Sequence, residues 1–405
     1  MPLASDSPLR NRSFVLYWLT RVFSMSAYQV QSVGVAWQIY ALTGSALDLG
    51  LVGLMQFLPR VVLLPIVGNA ADRYDRRRLM LVAQAVQAVT MAALAWATAS
   101  GAVTRELILA LVVVAGAARA LEHPATLALL PTLLAPSALS RATAMSASAN
   151  QAATILAPAA AGFLYLFGAT VVYALTTAAF VAALVAAAAM RVGPQPRTVA
   201  AGAGFSRFLE GVRFIRGHRA MLGAISLDLC AVFLGGATAL LPIFAQEVLE
   251  SGPWGLGLLR SAPAVGALAL AVWLAHYPLE RGIGRLMFAC VAIFGAATIA
   301  FGLSHSLVGS MLILAVLGGA DMVSVVIRNA YVQLQTPNEM RGRVSAVNSV
   351  FIGASNQLGE FESGVTAAWF GAVPAVILGG VGTLLVVVLW MRWFPELLRA
   401  ERLEG

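Results

Sequence analysis

The chain is 405 residues long, 60% hydrophobic and only 11% charged, whereas a soluble domain is about half apolar and a quarter charged. That excludes a water-soluble globule and points to a lipid bilayer, whose helices also tolerate the 37 Gly and 17 Pro present. The formal charge is +8 and all 26 basic residues are Arg; in a soluble chain such an excess suggests nucleic acid, but here the arginines crowd into short loops between apolar runs.

The first 13 residues, MPLASDSPLRNRS, are polar and read as a cytoplasmic tail without a cleavable signal. A spanning helix needs about 20 mostly apolar residues. Twelve segments qualify, at 14–42, 48–71, 79–99, 106–134, 140–167, 169–190, 219–247, 254–275, 283–303, 307–335, 343–370 and 372–393. The first, fifth and eleventh carry polar residues that weaken their hydropathy. The expected fold is all-α and integral to the membrane: a bundle at 14–190, a linker at 191–218, a second bundle at 219–393 and a tail at 394–405. With both termini cytoplasmic, 20 of the 26 arginines fall on the inner side, only Arg105 on the outer side, and Arg21, Arg60, Arg119, Arg260 and Arg328 inside helices. The positive-inside rule selects that orientation. In the linker, Phe205, Phe208, Leu209, Val212 and Ile215 recur at helical spacing between arginines, which predicts an amphipathic helix at the membrane surface.

The halves repeat. LLAPSALSRATAMSASAN (133–150) parallels LQTPNEMRGRVSAVNS (334–349), with a Pro turn, an Arg and a small-residue helix in each. Gly162 and Gly364 follow at similar distances. Two repeats with a site between them are the architecture of many secondary transporters.

Between the second and third segments, Gly68 opens the run GNAADRYDRRRL. A Gly allows close helix approach, and Asp72 ends a helix where it can pair with an Arg or meet a neighbouring helix N-terminus. The run resembles the G-x(3)-D-R-x-x-R-R loop of the major facilitator superfamily, matched by Gly68, Asp72, Arg73, Arg76 and Arg77. It is expected to act as a conformational latch, chiefly through Asp72 and Arg73, with Arg77 and Arg78 fixing topology. The second-half loop, HYPLERGIGRL from His276, lacks the pattern. The fifth segment carries ATILAPAAAG, similar to the Gly/Pro motif of superfamily antiporters: Pro158 and Gly162 match, while Ala153, Ala157 and Ala161 replace glycines. That likeness implies export. VYALTTAAF, FSRFLEGVRFIRGH and the QTP-x-x-M-x-G-R stretch resemble the bacterial branch that contains enterobactin exporters and drug-efflux proteins, so siderophores and drugs are the implied substrate classes.

Ionisable residues inside the membrane cost roughly 2.5–3.5 kcal/mol even on insertion scales and usually face the bundle interior. Arg119, Glu122 and His123 stand at i, i+3 and i+4 and are expected on one face. Arg21 and Asp228 occupy corresponding places in the halves, 207 residues apart, and could form a cross-half ion pair. Asp321 and Arg328 lie two turns apart. In QLGEFESG, Glu360 and Glu362 are about 160° apart around a regular helix, so they face different surroundings. Glu360 falls with Asn356 and Gly364 on the polar, small side and is the leading proton carrier; Glu362 belongs to the apolar flank. The coupling candidates are thus Glu360, Asp321, Arg119, Glu122, His123, Asp228 and Arg21. Tyr28, Gln29, Gln31 and Asn356 are expected to line a substrate cavity, with Trp37 and Gln38 nearby.

No G-x(4)-G-K-[ST] loop, metal-ligand spacing or nucleophile–base set is present, so neither ATP drive, a cofactor, a metal nor an enzyme activity is expected. The reading is a monomeric, proton-coupled exporter of amphipathic small molecules in a bacterial inner membrane, without a nucleic-acid partner. Its rivals are a proton-symport importer of a metabolite and a non-transporting receptor or scaffold on the same fold.

Overall fold

The computed structural model describes residues 8–73, 75–193, 204–277 and 282–401, without the side chains of 64–73 and 204–207. The helices are α1 (Arg12–Thr43), α2 (Ala46–Arg73), α3 (Arg76–Ala99), α4 (Arg105–Leu133), α5 (Pro136–Leu164), α6 (Ala169–Ala189), α7 (Gly204–Gly217), α8 (Arg219–Leu234), α9 (Leu241–Ile243), α10 (Gly252–His276), α11 (Ile283–Gly302), α12 (Leu307–Leu334), α13 (Asn338–Phe370), α14 (Ala372–Trp393) and α15 (Pro395–Leu398). No strand occurs among the described residues. The run from α8 continues through a 3-10 turn, α9 and a π turn to Val248.

Nine spans among the described residues are long and apolar enough to cross a membrane. Three further helices are as long, α1, α5 and α13, at 32, 29 and 33 residues. They are the segments whose polar side chains dilute their hydropathy, and their reach is set by length rather than oiliness.

The sequence repeat becomes a repeat of backbone. α5 starts with Pro136 in its first turn and α13 directly after Pro337, where a missing N–H costs nothing because the first helical donors are unpaired anyway. Each helix then gives way to its successor at a glycine: Gly168 at φ 100°, ψ 154° and Gly371 at φ 88°, ψ 161°. That region of the backbone map is essentially restricted to glycine.

Two compact units result: Met1–Thr43 with Leu58–Gly202, and Gly44–Phe57 with Ala203–Gly405. The first 12 or so residues of α2 therefore cluster with the second unit. Unit 1 centres one cluster on Phe14, Tyr17, Met80, Leu129, Ala142 and Met190. Unit 2 has a core of Leu227, Met287, Phe288, Ile327, Val387 and Leu397. Its helices also meet backbone to backbone: a Cβ added at Gly318 would lie 2.1 Å from the Pro263 carbonyl oxygen, and one at Gly266 1.8 Å from that of Ala315. Small residues permit such approach where apolar burial alone gives helices no reason to associate in lipid.

The linker helix α7 spends its apolar stripe on protein. Phe208, Val212 and Ile215 pack with Val344 and Val347 of α13, Gly211 rests on the Arg343 carbonyl, and Glu210 pairs with Arg343 at 2.5 Å. Leu209 alone of the described stripe is strongly exposed.

Candidate functional site

Each unit holds a buried polar cluster, and the two differ in how completely it is satisfied. In unit 1, α4 places Glu122, 6% exposed, against α1 and α3. Its Oε1 accepts hydrogen bonds from Ser24 at 2.5 Å and Gln84 at 2.8 Å. Its Oε2 takes the Arg119 guanidinium at 3.4 Å. Arg119 also lies over the Tyr28 ring, 4.2 Å from its centroid, and donates to the Met25 sulfur. A carboxylate held by two neutral donors and a guanidinium is a stable tenant of a low-dielectric interior. His123, expected on their face, is exposed, yet stays within electrostatic reach of Arg119 and Glu122.

Around this centre the amides are only partly used. Gln38 donates to Thr98 at 3.0 Å and accepts from Tyr173 at 2.6 Å. The side-chain oxygens of Gln31, Gln84 and Gln87, and Nε of Arg21, have no hydrogen-bond partner among the described residues. Arg21 lies beside Tyr17, and Gln29 is half-buried. Gln84, Gln87 and Ser24 were not among the sequence candidates; a glutamine pair at i and i+3 inside an apolar run was the available signal.

The arginine-rich turn before α3 is partly architectural. Asp75 caps α3, accepting from the backbone N–H of Arg77 at 2.8 Å and Arg78 at 3.3 Å. Arg76 donates to the Ala128 carbonyl near the end of α4 at 2.9 Å. Arg77 donates to the Ala187 carbonyl at 3.1 Å and to that of Ala188, at the end of α6. Cations satisfy the orphan carbonyls of helix C-termini and complement their partial negative charge. The side chains of Gly68, Asp72 and Arg73 lie outside the described residues, as do residues 278–281 of the second-half loop. On α5, Pro158 and Gly162 are buried in the helix.

In unit 2, Asp228 of α8 pairs with Arg328 of α12. Both are nearly inaccessible, at 4% and 2% exposure. Asp321, two turns before Arg328, is half-buried and faces both members of that pair. Its carboxylate takes no hydrogen bond among the described residues. A small cavity lies beside it, lined by Asp228, Asp321, Ser324, Cys290, Val291 and Phe294. Asp228 thus finds its counter-charge inside its own unit. Ser324 and Cys290 had no sequence signal, because serine and cysteine in an oily run look like packing residues.

The glutamates of QLGEFESG do separate. Glu360 lies over α2, where a Cβ on Gly53 would be 2.6 Å from its Oε2, while Gly50 packs on the Phe361 carbonyl and on Gly364. Glu362 accepts from Thr366 on its own helix at 2.7 Å. Asn356 is exposed, and the neighbouring buried amide is Gln357.

The family model for the transmembrane secretion effector matches residues 3–402. The chain is 26% identical over 374 residues to the multidrug efflux pump Tap of Mycobacterium tuberculosis, covering 88% of this chain and 87% of the pump. It is 23% identical over 411 residues to the MFS-type transporter YvqJ of Bacillus subtilis, 99% and 96% of the two chains, and 21% identical over 259 residues to macrolide efflux protein A of Streptococcus pyogenes, 63% and 64%. Among solved structures, a bacterial homologue of the lysosomal transporter Spinster superposes with a TM-score of 0.73 at 15% identity, covering 97% of each chain. A bacterial homologue of the iron transporter ferroportin gives 0.71 at 17% identity, covering 96% of this chain and 99% of the homologue. The long apolar helices, the repeat and these likenesses converge: this multi-pass membrane protein belongs to the transmembrane secretion effector family of the major facilitator superfamily.

Proposed function

We propose that this transporter exports amphipathic, drug-like small molecules by alternating access, using the proton gradient. The observation that carries the reading is likeness along nearly the whole chain to a multidrug efflux pump, joined by partial likeness to a macrolide exporter. Those names favour drug-like compounds over siderophores as substrates. Proton coupling is supported by Asp321, a carboxylate inside an apolar bundle that takes no hydrogen bond among the described residues, since ionisable groups in spanning helices are costly and mark functional sites. The arginine distribution supports both termini on the cytoplasmic side of the inner membrane, and the chain would act as a monomer. Asp72 and Arg73 would form the latch of the loop after α2, with Arg76 and Arg77 anchoring that loop to α4 and α6.

Everted membrane vesicles from expressing cells test the reading. With acid-inside vesicles, a macrolide and a lipophilic dye should accumulate in the presence of this chain and leave when the pH gradient is collapsed. Accumulation driven only by the opposite gradient would identify an importer. No flux of any compound in a broad panel, under any ion gradient, would favour a receptor or scaffold.

A further inference from the structure

Counting charge around the small cavity of unit 2 leaves an imbalance. Asp228 and Asp321 bring two carboxylates and Arg328 one guanidinium; of the other cavity walls, α11 contributes Cys290, Val291 and Phe294. α10, which packs on this part of α12 through Pro263, Gly266 and Leu270 at Gly318 and Gly319, carries the half-buried Arg260, which has an interaction of its own and is not part of the cavity lining. With Asp228 taken by Arg328, one negative charge, on Asp321, is left without a partner in a site of low dielectric. The fold therefore needs one more positive charge whenever this arrangement is populated.

The cavity says which cation fits. It has room for about one water molecule. Its oxygen donors are Asp228, Asp321 and Ser324, and Ser324 is 2% exposed with its hydroxyl unpartnered. Hard metal cations of sodium or calcium type take about six or more oxygens, and the Arg328 charge stands in the way. A proton needs one.

We propose that Asp321 is the proton-binding residue of this transporter, with Ser324 as hydrogen-bond partner of its carboxyl and Arg328 as the charge that stabilises the carboxylate once the proton leaves. When protonated, Asp321 is neutral and Arg328 belongs to Asp228. On release, the Asp321 O–H bond breaks, the proton passes to water in the cavity, and the carboxylate keeps the electron pair. Arg328, whose Nε is an unused donor, is then shared between two carboxylates, and α8 is held less firmly to α12. Occupancy of the proton site thereby biases the packing of α8, which is the coupling a proton-driven transporter requires. This places the carrier on α12 rather than on Glu360, and it rests on the exporter reading only for the direction of transport.

Infrared difference spectroscopy on the purified full-length protein tests the assignment without any substrate, so its failure is separable from failure of the exporter reading. Between acidic and alkaline buffer, the wild type should show a protonated-carboxyl band that disappears as pH rises. Asp321→Asn should abolish that band, Asp321→Glu should retain it at a shifted frequency, and Glu360→Gln should leave it intact. If Asp321→Asn does not fold, the Asp321→Glu shift decides alone. A band unchanged in Asp321→Asn or unshifted in Asp321→Glu would overturn the proposal, as would loss of the band in Glu360→Gln. Replacing choline by sodium at constant acidic pH should leave the band unaltered; displacement by sodium would assign the site to a metal cation instead.

Discussion

Unit 1 surrounds its buried carboxylate, Glu122, with Ser24, Gln84 and Arg119, whereas unit 2 gives its counterpart charges one ion pair for two aspartates, Asp228 with Arg328 and Asp321 beside them. The halves share one pattern, visible in the Pro turns and in glycines 168 and 371, yet they use polarity differently. Glu122 has three partners, and removing any of them leaves a costly orphan. A carboxylate without hydrogen bonds beside an occupied arginine has two accessible states. On the proposal above, unit 1 is the half that positions and unit 2 the half that carries the proton.

The largest expected effect comes from removing the shared cation. Arg328→Ala leaves Asp228 uncompensated and should destabilise the protein by about 3–5 kcal/mol, read as loss of folded protein in a denaturant titration in detergent. The double variant Asp228→Asn, Arg328→Gln should be milder than Arg328→Ala alone; additive damage would contradict the ion pair. In unit 1, Glu122→Gln keeps a hydrogen-bond acceptor but loses the charge opposite Arg119, and about 1–3 kcal/mol of stability should go with it, while the pH dependence of transport persists. Loss of coupling without loss of stability there would reverse the roles assigned to the units. Asp75→Ala removes the α3 cap and should cost about 1 kcal/mol, with transport retained. Glu362→Gln, whose hydrogen-bond partners Thr366 and Ser363 lie on its own helix, should change stability by no more than about 0.5 kcal/mol and transport hardly at all.

Much of the architecture was legible beforehand because it depends on local rules. Segment length, arginine placement and the Pro-turn repeat need only the chain itself, and the split of Glu360 from Glu362 follows from helical geometry alone. The partnerships inside the bundles were not legible. Arg119 and Glu122 were found because they share a helix, but Ser24 and Gln84 reach Glu122 from α1 and α3, at separations of 98 and 38 residues. Asp228 finds Arg328 across 100 residues, where symmetry between the halves suggested Arg21. His123 shows the limit of the wheel: neighbours on a helix face can still fall on opposite sides of the burial boundary. Glycines 50 and 53, which bring α2 against Glu360 and Gly364, carry no signal in a chain this rich in glycine.

Transport by everted vesicles, comparing the wild type with Asp321→Asn and Glu122→Gln, tests the division of labour most directly. Asp321→Asn should lose drug accumulation driven by a pH gradient while still exchanging labelled for unlabelled drug at equilibrium, and Glu122→Gln should keep gradient-driven accumulation in proportion to the folded protein present. Accumulation by Asp321→Asn at the wild-type level would contradict the account.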